Sequence, residues 1–147
     1  KISRKKIHEF SMQVLMMHNS SDKGLLDCLD GLISVSEKNP KKEIILHKKK
    51  IQKSLKSIEK NIEQIDTYIT LSLQEKNKDF KTLGNPEKSA IRYGFWLLLG
   101  PRKLDPPLCS KITADLVDVF AESSARALVQ GCISWASKNQ KDSTLLF

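Results

Sequence analysis

Apolar residues recur every three or four positions along most of the chain, a spacing that predicts amphipathic α-helices rather than strands. A first helix is predicted over residues 3–18, with Ser3 as its N-cap. Its inward side is expected to consist of Ile7, Phe10, Val14, Leu15 and Met17. A second helix is predicted over residues 25–35, followed by a turn at Asn39-Pro40. Its inward residues are expected to be Leu25, Leu29, Leu32 and Ile33.

The most clearly delimited helix is predicted within residues 83–101, LGNPEKSAIRYGFWLLLGP. Asn85 is predicted as its N-cap, with Pro86 at the first helical position, where a missing N–H costs nothing. Gly100, which precedes a proline, predicts a left-handed C-terminal cap. The second half of the helix is apolar on nearly all sides, yet the segment is shorter than the ~20 residues that span a bilayer. We therefore expect a buried helix at the centre of an all-α domain.

Residues 41–81 contain neither glycine nor proline, and their apolar residues repeat at alternating spacings of four and three. This seam consists of Ile51, Leu55, Ile58, Ile62, Ile65 and Ile69. A heptad seam is typical of a coiled coil, so a homodimer or larger homo-oligomer formed through it is one interpretation. We favour a long bundle helix, or two helices with a break at an unassigned position, because the apolar helices that follow would cover the seam.

Two further helices are predicted after the central one. The Asp-Pro-Pro sequence at 105–107 begins the first of them. Its inward residues are expected to be Leu108, Ile112, Leu116, Val119 and Phe120. Ser123 and Ser124 are predicted to cap a last helix over residues 125–136, followed by a polar tail from about residue 137. The apolar side of that helix is expected to contain Leu128, Cys132 and Trp135.

The length of 147 residues favours one domain over the whole chain, residues 1–147, with an all-α helical-bundle fold that could consist of two sub-bundles. The net charge is +8, and it is local, since residues 1–8 contribute +4 and residues 41–60 contribute +6. Basic residues at a helix start oppose the helix dipole at a cost of ~0.3–1 kcal/mol each. The first cluster therefore favours a partner that carries phosphates.

The second cluster contains a stripe of lysines at helical spacing, opposite the isoleucine seam. These residues are Lys49, Lys53, Lys56 and Lys60. An ordinary solvated helix face is the simpler interpretation of this stripe, and a binding surface is the alternative.

Little in the sequence indicates an enzyme, a metal site or a cofactor. The cysteines lie far apart in apolar segments, which predicts buried, reduced thiols in a cytoplasmic protein. They are Cys28, Cys109 and Cys132. The histidines His8, His18 and His47 are too widely spaced for a helical metal pair and are expected at the surface or its boundary. Asp115 and Asp118 are expected to be solvated, and Trp96 and Trp135 to lie in the core. No signal peptide or membrane-spanning run is evident, so no membrane partner is expected.

Taken together, the two ends of the chain resemble the NusB family of bacterial transcription antitermination factors. The opening SRKKIHEFSMQVLMMH is similar to that family's run of basic residues followed by a small apolar stretch. PEKSAIRYGFWLL resembles the family's V-E-x-A-I-L-R-x-A-x-Y-E-L, and the matching positions are Glu87, Lys88, Ile91, Arg92 and Trp96. Phe120 and the Leu128–Gly131 segment match a phenylalanine and an F-V-N-G element at the family's spacing.

The resemblance implies a fold of two three-helix sub-bundles and a role without catalysis. It implies binding of single-stranded boxA RNA in ribosomal and leader transcripts, together with the ribosomal protein NusE, in the RNA polymerase antitermination complex. By position, the RNA-contacting residues would be Arg4, Lys5, Lys6, His8, Glu87, Lys88, Ser124 and Leu128. Two alternatives keep the same fold: a protein-interaction module without specific RNA binding, and an accessory domain of an rRNA-modifying enzyme.

The sequence departs from the family pattern at several of these positions. Lysines stand where the family often has arginines, and a lysine lacks the guanidinium fork used to read base edges. Leu128 replaces an aromatic residue whose stacking on a base is worth ~1–3 kcal/mol, Ser124 replaces an acid, and Met16 replaces a tyrosine. These departures predict that phosphate contacts dominate over base readout.

Overall fold

The computed structural model describes residues 4–35 and 47–139, and these residues contain seven α-helices, one 3-10 helix and no strand. The all-α prediction is therefore confirmed. The helices are α1 (Arg4–Asn19), α2 (Leu25–Val35), α3 (Lys48–Lys60), α4 (Ile62–Gln74), α5 (Asn85–Leu99), α6 (Pro106–Phe120) and α7 (Ala125–Asn139), with the 3-10 helix at Phe80–Thr82. The predictions for Ser3, for Asn39-Pro40 and for the tail beyond residue 139 lie outside the described residues. None of the described helices combines the length and the apolar character that crossing a membrane requires.

The chain forms two compact units, a first unit of residues 1–60 and a second unit of residues 61–147. In the first unit, α1, α2 and α3 pack against one another. The second helix has the predicted bounds, and Leu25, Cys28 and Leu29 are buried on it. Glu59 of α3 joins the two helices directly, because its Oε2 accepts a hydrogen bond from the Leu25 N–H at 2.8 Å.

The inward side of α1 differs from the predicted one. Val14 and Leu15 are fully buried as expected, but His8, Ser11 and Met12 are buried as well, whereas Ile7 and Met17 are only half-buried. Residues 8, 11, 12 and 15 follow the i, i+3, i+4, i+7 spacing of one helix face. Ser11 is accommodated there because its hydroxyl donates to the Ile7 carbonyl at 2.9 Å. The buried face of α1 is therefore rotated about the helix axis from the face that hydrophobicity alone predicted, so that it includes His8, Ser11 and Met12.

The heptad segment divides at Asn61, whose backbone (φ −111°, ψ 12°) interrupts the helix. The first three seam residues are buried on α3, and Ile65 and Ile69 are buried on α4, while Ile62 is half-buried. Helix α3 packs against α1 and α2, and α4 packs against α5 and α7. The seam is therefore covered by helices of the same chain, as the bundle interpretation predicted. The expectation that the following helices cover it is confirmed only for the half on α4, because the half on α3 packs against the preceding α1 and α2.

In the second unit, α5 packs against α4, α6 and α7, and every residue from Tyr93 to Gly100 is buried. The close packing depends on Gly94. A Cβ atom at this position would lie 2.6 Å from Ile133 Cδ1 of α7 and 2.7 Å from Thr113 Oγ1 of α6. The prediction of a buried central helix is thus confirmed for the second unit.

Both ends of α5 differ in detail from the prediction. Gly84, not Asn85, is the N-cap, and Asn85 is the first helical residue. Gly100 is extended (φ −82°, ψ −167°) rather than left-handed. Glycine is needed there for space, because an added Cβ would lie 2.5 Å from the Trp96 carbonyl oxygen. Two other residues adopt a positive φ after a helix: Asn77 (φ 54°), three residues beyond the end of α4, and Lys103 (φ 44°), four residues beyond the end of α5.

The inward side of α6 was predicted only in part: Leu116 is buried as expected, Ile112 and Phe120 are half-buried, and Leu108 and Val119 face outward. Leu108 and Val119 are 44% and 50% exposed, and the side chains of Cys109, Thr113 and Val117 are buried in their place, together with Leu116. Thr113 lies where α5 approaches closely at Gly94, since a Cβ added to Gly94 would be 2.7 Å from Thr113 Oγ1. Helix α7 continues to Asn139, so residues 137–139 are helical rather than part of the tail. On α7, Cys132 is buried as predicted, with Val129 and Ile133, while Leu128 and Trp135 are half-buried.

All three cysteines are free and buried, as predicted. Burial is the main cause that raises the pKa of the Cys109 thiol from 9.0 to about 11, and the nearby Asp105 carboxylate raises it further. Burial likewise raises the pKa of Cys132. Both thiols are therefore protonated at neutral pH and poor nucleophiles.

Candidate nucleic-acid interface

The basic start of α1 is exposed. Arg4, Lys5 and Lys6 occupy the first turn, all three are exposed, and the first turn contains no acidic residue. The positive end of the helix dipole and three cationic side chains therefore coincide at one place. This arrangement disfavours the isolated helix and attracts an anion.

His8 does not share this exposed surface. It lies one turn further along α1 and is only 7% exposed, which corrects the expectation that the histidines lie at the surface. Its position on the inward face, beside Ser11 and Met12, explains the burial. His18 and His47 are half-buried, as expected of boundary residues. The burial of His8 leaves little of its side chain accessible to an RNA, in contrast to the exposed side chains of Arg4, Lys5 and Lys6.

The start of α5 holds Glu87 and Lys88, both half-buried. Glu87 occupies the third helical position, from which a glutamate side chain reaches back towards the N-cap residue. Its carboxylate lies against Gly84, since a Cβ added to that glycine would be 3.0 Å from Oε1. Glu87 thus places a negative charge at the positive end of α5, which stabilises the helix.

Lys88 belongs to a cluster that the sequence analysis did not identify. Lys88 Nζ lies 5.4 Å and Arg92 Cζ 5.3 Å from the ring centroid of Phe80, within cation–π distance. Arg92 also donates two hydrogen bonds to Asp66 of α4, from Nε to Oδ1 and from Nη2 to Oδ2, each 2.8 Å long. This forked pair fixes the guanidinium, and the Phe80 ring lies beside both cations, Lys88 in the first turn of α5 and Arg92 one turn further along.

The sequence contained two signals for this cluster. Phe80 lies in the basic segment KNKDFK, and Lys88 and Arg92 are spaced i, i+4, which places them on one helix face. Asp66 lies 26 residues before Arg92 in the chain, so only the tertiary structure reveals their pairing.

The remaining predicted residues lie at the start of α7. Ser124 is exposed just before the helix, and Leu128 is half-buried one turn into it. Arg126, between them, donates a hydrogen bond to the Asp118 carboxylate of α6. The predicted RNA-contacting residues therefore form one set in the first unit, at the start of α1, and two sets in the second unit, at the starts of α5 and α7.

Within the part of the chain that the structure describes, no group of three or more histidine, cysteine, aspartate or glutamate side chains is arranged to hold a metal ion. Asp115 and Asp118 form ion pairs with Lys111 and Arg126, respectively.

Comparison with known proteins gives a consistent fold. No protein-family model and no curated protein sequence matches the chain. Among solved structures, T. maritima NusB is similar with a TM-score of 0.75 and 16% identity, covering 94% of this chain and 92% of that one. A complex of the antitermination factors NusB and NusE with dsRNA matches with a TM-score of 0.71 and 22% identity, covering 92% of this chain and 96% of that one. A protein chain in the crystal structure of a plectonemic RNA supercoil matches with a TM-score of 0.73 and 22% identity, covering 92% of this chain and 94% of that one. The chain has a NusB-like fold.

Proposed function

We propose that this protein is an RNA-binding transcription antitermination factor that binds a boxA-like, single-stranded RNA element together with a NusE-type ribosomal protein. The observation that carries the proposal is the exposed, acid-free basic first turn of α1 in a chain with a NusB-like fold. A fold-matched structure is a complex of NusB with NusE and dsRNA, which supports RNA and NusE as the partners.

Phosphate contacts come first in this mechanism. Arg4, Lys5 and Lys6 dock the RNA backbone at the positive end of α1 and release counterions from it. Lys88 gives a second cationic contact, held in place over Phe80. Ser124 is exposed and accepts or donates a hydrogen bond to the RNA, while the half-buried Leu128 offers apolar contact to a base. The protein partner adds surface and raises affinity for the correct element.

Fluorescence anisotropy with a labelled boxA-like RNA tests the proposal, with and without the ribosomal partner. Changing Arg4, Lys5 and Lys6 to Ala should lower the affinity at least tenfold and reduce the salt dependence by about 0.7 logarithmic units per lost phosphate contact. The matched control removes the same number of charges from exposed basic residues of the second unit outside the Phe80 cluster: Arg102, Lys103 and Lys138, each changed to Ala. The control should bind as the parent does.

Two results would contradict the proposal. One is an RNA affinity that is unaffected by the α1 changes. The other is equal, weak binding of the boxA-like RNA and of a scrambled RNA, with no tightening by the partner, which would indicate charge attraction alone.

A second candidate function is a protein-interaction module that does not bind specific RNA. It is favoured by the apolar face of α6, where Leu108 is 44% and Val119 is 50% exposed, with Ile112 half-buried between them. Binding of a protein partner that is independent of salt, combined with no RNA binding, would support this alternative over the first.

A further inference from the structure

The positive charge of the protein is concentrated in the first unit. Residues 1–60 contain fourteen lysines and arginines and seven acidic residues, a net charge of +7 out of +8 for the chain. The start of α1 explains only part of this excess. The largest remaining group is on α3, which contains six lysines among its thirteen residues.

Four of these lysines form one exposed face, which we call the lysine face: Lys49, Lys53, Lys56 and Lys60. The opposite side of α3 holds the buried residues Ile51, Leu55 and Ile58. None of the four lysines forms an ion pair or a hydrogen bond with another described residue. The lysine face therefore presents its charge to solvent.

The single acid on α3 does not neutralise this face. Glu59 directs its carboxylate to the start of α2, where Oε2 accepts the Leu25 N–H at 2.8 Å and would lie 3.1 Å from a Cβ on Gly24. There it satisfies a backbone donor at the positive end of α2. The Glu59 carboxylate is therefore directed towards α2 and away from the lysine face, which the sequence alone does not reveal.

The lysine face is unfavourable for the isolated helix. Its members are spaced i, i+3 and i, i+4, and each like-charged pair at this spacing destabilises a helix by ~0.2–0.5 kcal/mol. The first turn of α3 contains no acid that would offset the helix dipole. Polar uncharged residues such as glutamine would keep the face soluble without this repulsion.

We propose that the lysine face of α3 binds RNA phosphates that flank the boxA-like element, independently of sequence. This inference rests on the proposed function and extends it to a second, separate contact surface in the first unit. Consecutive members of the face are ~4.5–6 Å apart along the helix axis, and the face is ~16 Å long, enough to follow several nucleotides of a strand. A membrane is disfavoured as the partner because the apolar residues of α3 are buried, leaving none beside the lysines to insert into lipid.

The test changes all four lysines to glutamine, which keeps the side-chain length similar and the helix propensity high. The matched control changes Arg102, Lys103, Lys111 and Lys138 to glutamine; these four are exposed and lie in the second unit. Both variants have the same net charge. Two labelled RNAs are compared: the boxA-like element alone, and the same element extended by a polyuridine flank.

Each of the four lysines should contribute up to ~0.7 to the slope of log affinity against log salt concentration for the extended RNA. Between about 200 mM and about 50 mM salt, the affinity of the parent should therefore rise up to about 50-fold more than the affinity of the lysine-face variant. The short RNA should bind the variant and the parent equally. The control should bind both RNAs as the parent does.

Four outcomes would overturn the inference. The first is unchanged affinity of the lysine-face variant for the extended RNA, which leaves the proposed function standing if the α1 variant still loses the short RNA. The second is equal loss for the short RNA, which would make the face part of the primary site. The third is equal loss in the control, which would indicate net charge alone. The fourth is that the lysine-face variant loses binding to anionic phosphatidylserine vesicles but binds both RNAs as the parent does, which would indicate a membrane as the partner. A parent that binds neither RNA refutes both proposals.

Discussion

Gly94 lies where α5 packs against α6 and α7, and changing it to alanine should destabilise the second unit. The new Cβ would lie 2.6 Å from Ile133 Cδ1, 2.7 Å from Thr113 Oγ1 and 3.3 Å from Thr113 Cγ2. All three residues are buried, so neither neighbour has free space to move into. Such overpacking costs ~1–3 kcal/mol, which must exceed the ~1 kcal/mol that alanine gains over glycine within a helix.

Gly31 offers a matched control. It is also inside a helix, but a Cβ there would meet only Met17 Cε, at 3.7 Å, which is an ordinary contact. The same substitution at this position should therefore stabilise the protein by up to ~1 kcal/mol, because alanine is the better helix former. The two substitutions are predicted to have opposite signs although both add a single methyl group.

Urea denaturation followed by far-UV circular dichroism measures both effects. The fluorescence of Trp96 and Trp135, both in the second unit, reports on Gly94→Ala separately. Adding Ile133→Val to Gly94→Ala removes the closest clashing atom and should recover part of the lost stability, so the double-mutant cycle should show a favourable coupling. A Gly94→Ala variant as stable as the parent, or no coupling with Ile133→Val, would refute the packing argument.

Three further predictions concern polar groups. Asp66→Asn leaves the Arg92 guanidinium without its charged partner and should cost about 2 kcal/mol of unfolding free energy in urea, while the RNA affinity of the α1 site should not change. Glu59→Gln weakens the cap on Leu25 and should lower the unfolding free energy by ~0.5–1 kcal/mol, measured by the same method. For Cys109, the folded pKa of about 11 lies above the unfolded value of 9.0, so the folded state holds the proton more tightly. Its contribution to stability should be present below pH 9 and be lost between pH 9 and about 11, and Cys109→Ala should remove this part of the pH dependence of the unfolding free energy.

The apolar pattern predicted the helices well where burial and hydrophobicity agree. The second helix has the predicted bounds, and the segment from Tyr93 to Leu99 is buried as its composition indicated. The pattern failed on α6, where the larger residues Leu108 and Val119 are exposed and Thr113 is buried. The reason is geometric for Thr113: it lies opposite Gly94 of α5, where an added Cβ would be only 2.7 Å from Thr113 Oγ1. A hydrophobicity scale contains no information on that distance.

The polar contacts that organise the candidate interface could not be predicted, because they join residues that are distant in the chain. Glu59 with Leu25 and Arg92 with Asp66 both link separate helices. In a sequence, Glu59 counts as a charge that partly neutralises the α3 lysines. In the structure its carboxylate caps α2 and forms no ion pair with these lysines.

The basic residues at the starts of α1 and α3 lower the stability of these two helices, because positive charge opposes the helix dipole there. Neither α1 nor α3 has an acid in its first turn, although such an acid would stabilise each helix. Three other helices do have an acid in the first turn, Asp27 in α2, Glu63 in α4 and Glu87 in α5. Helices α6 and α7 also lack one, but among the described helices only α1 and α3 combine this lack with three basic residues at the start. The basic starts of α1 and α3 therefore do not reflect a general shortage of acids. We propose that binding to phosphates offsets the cost of this placement, and this charge argument, which needs no relative, supports the RNA surface proposed on α1 and α3.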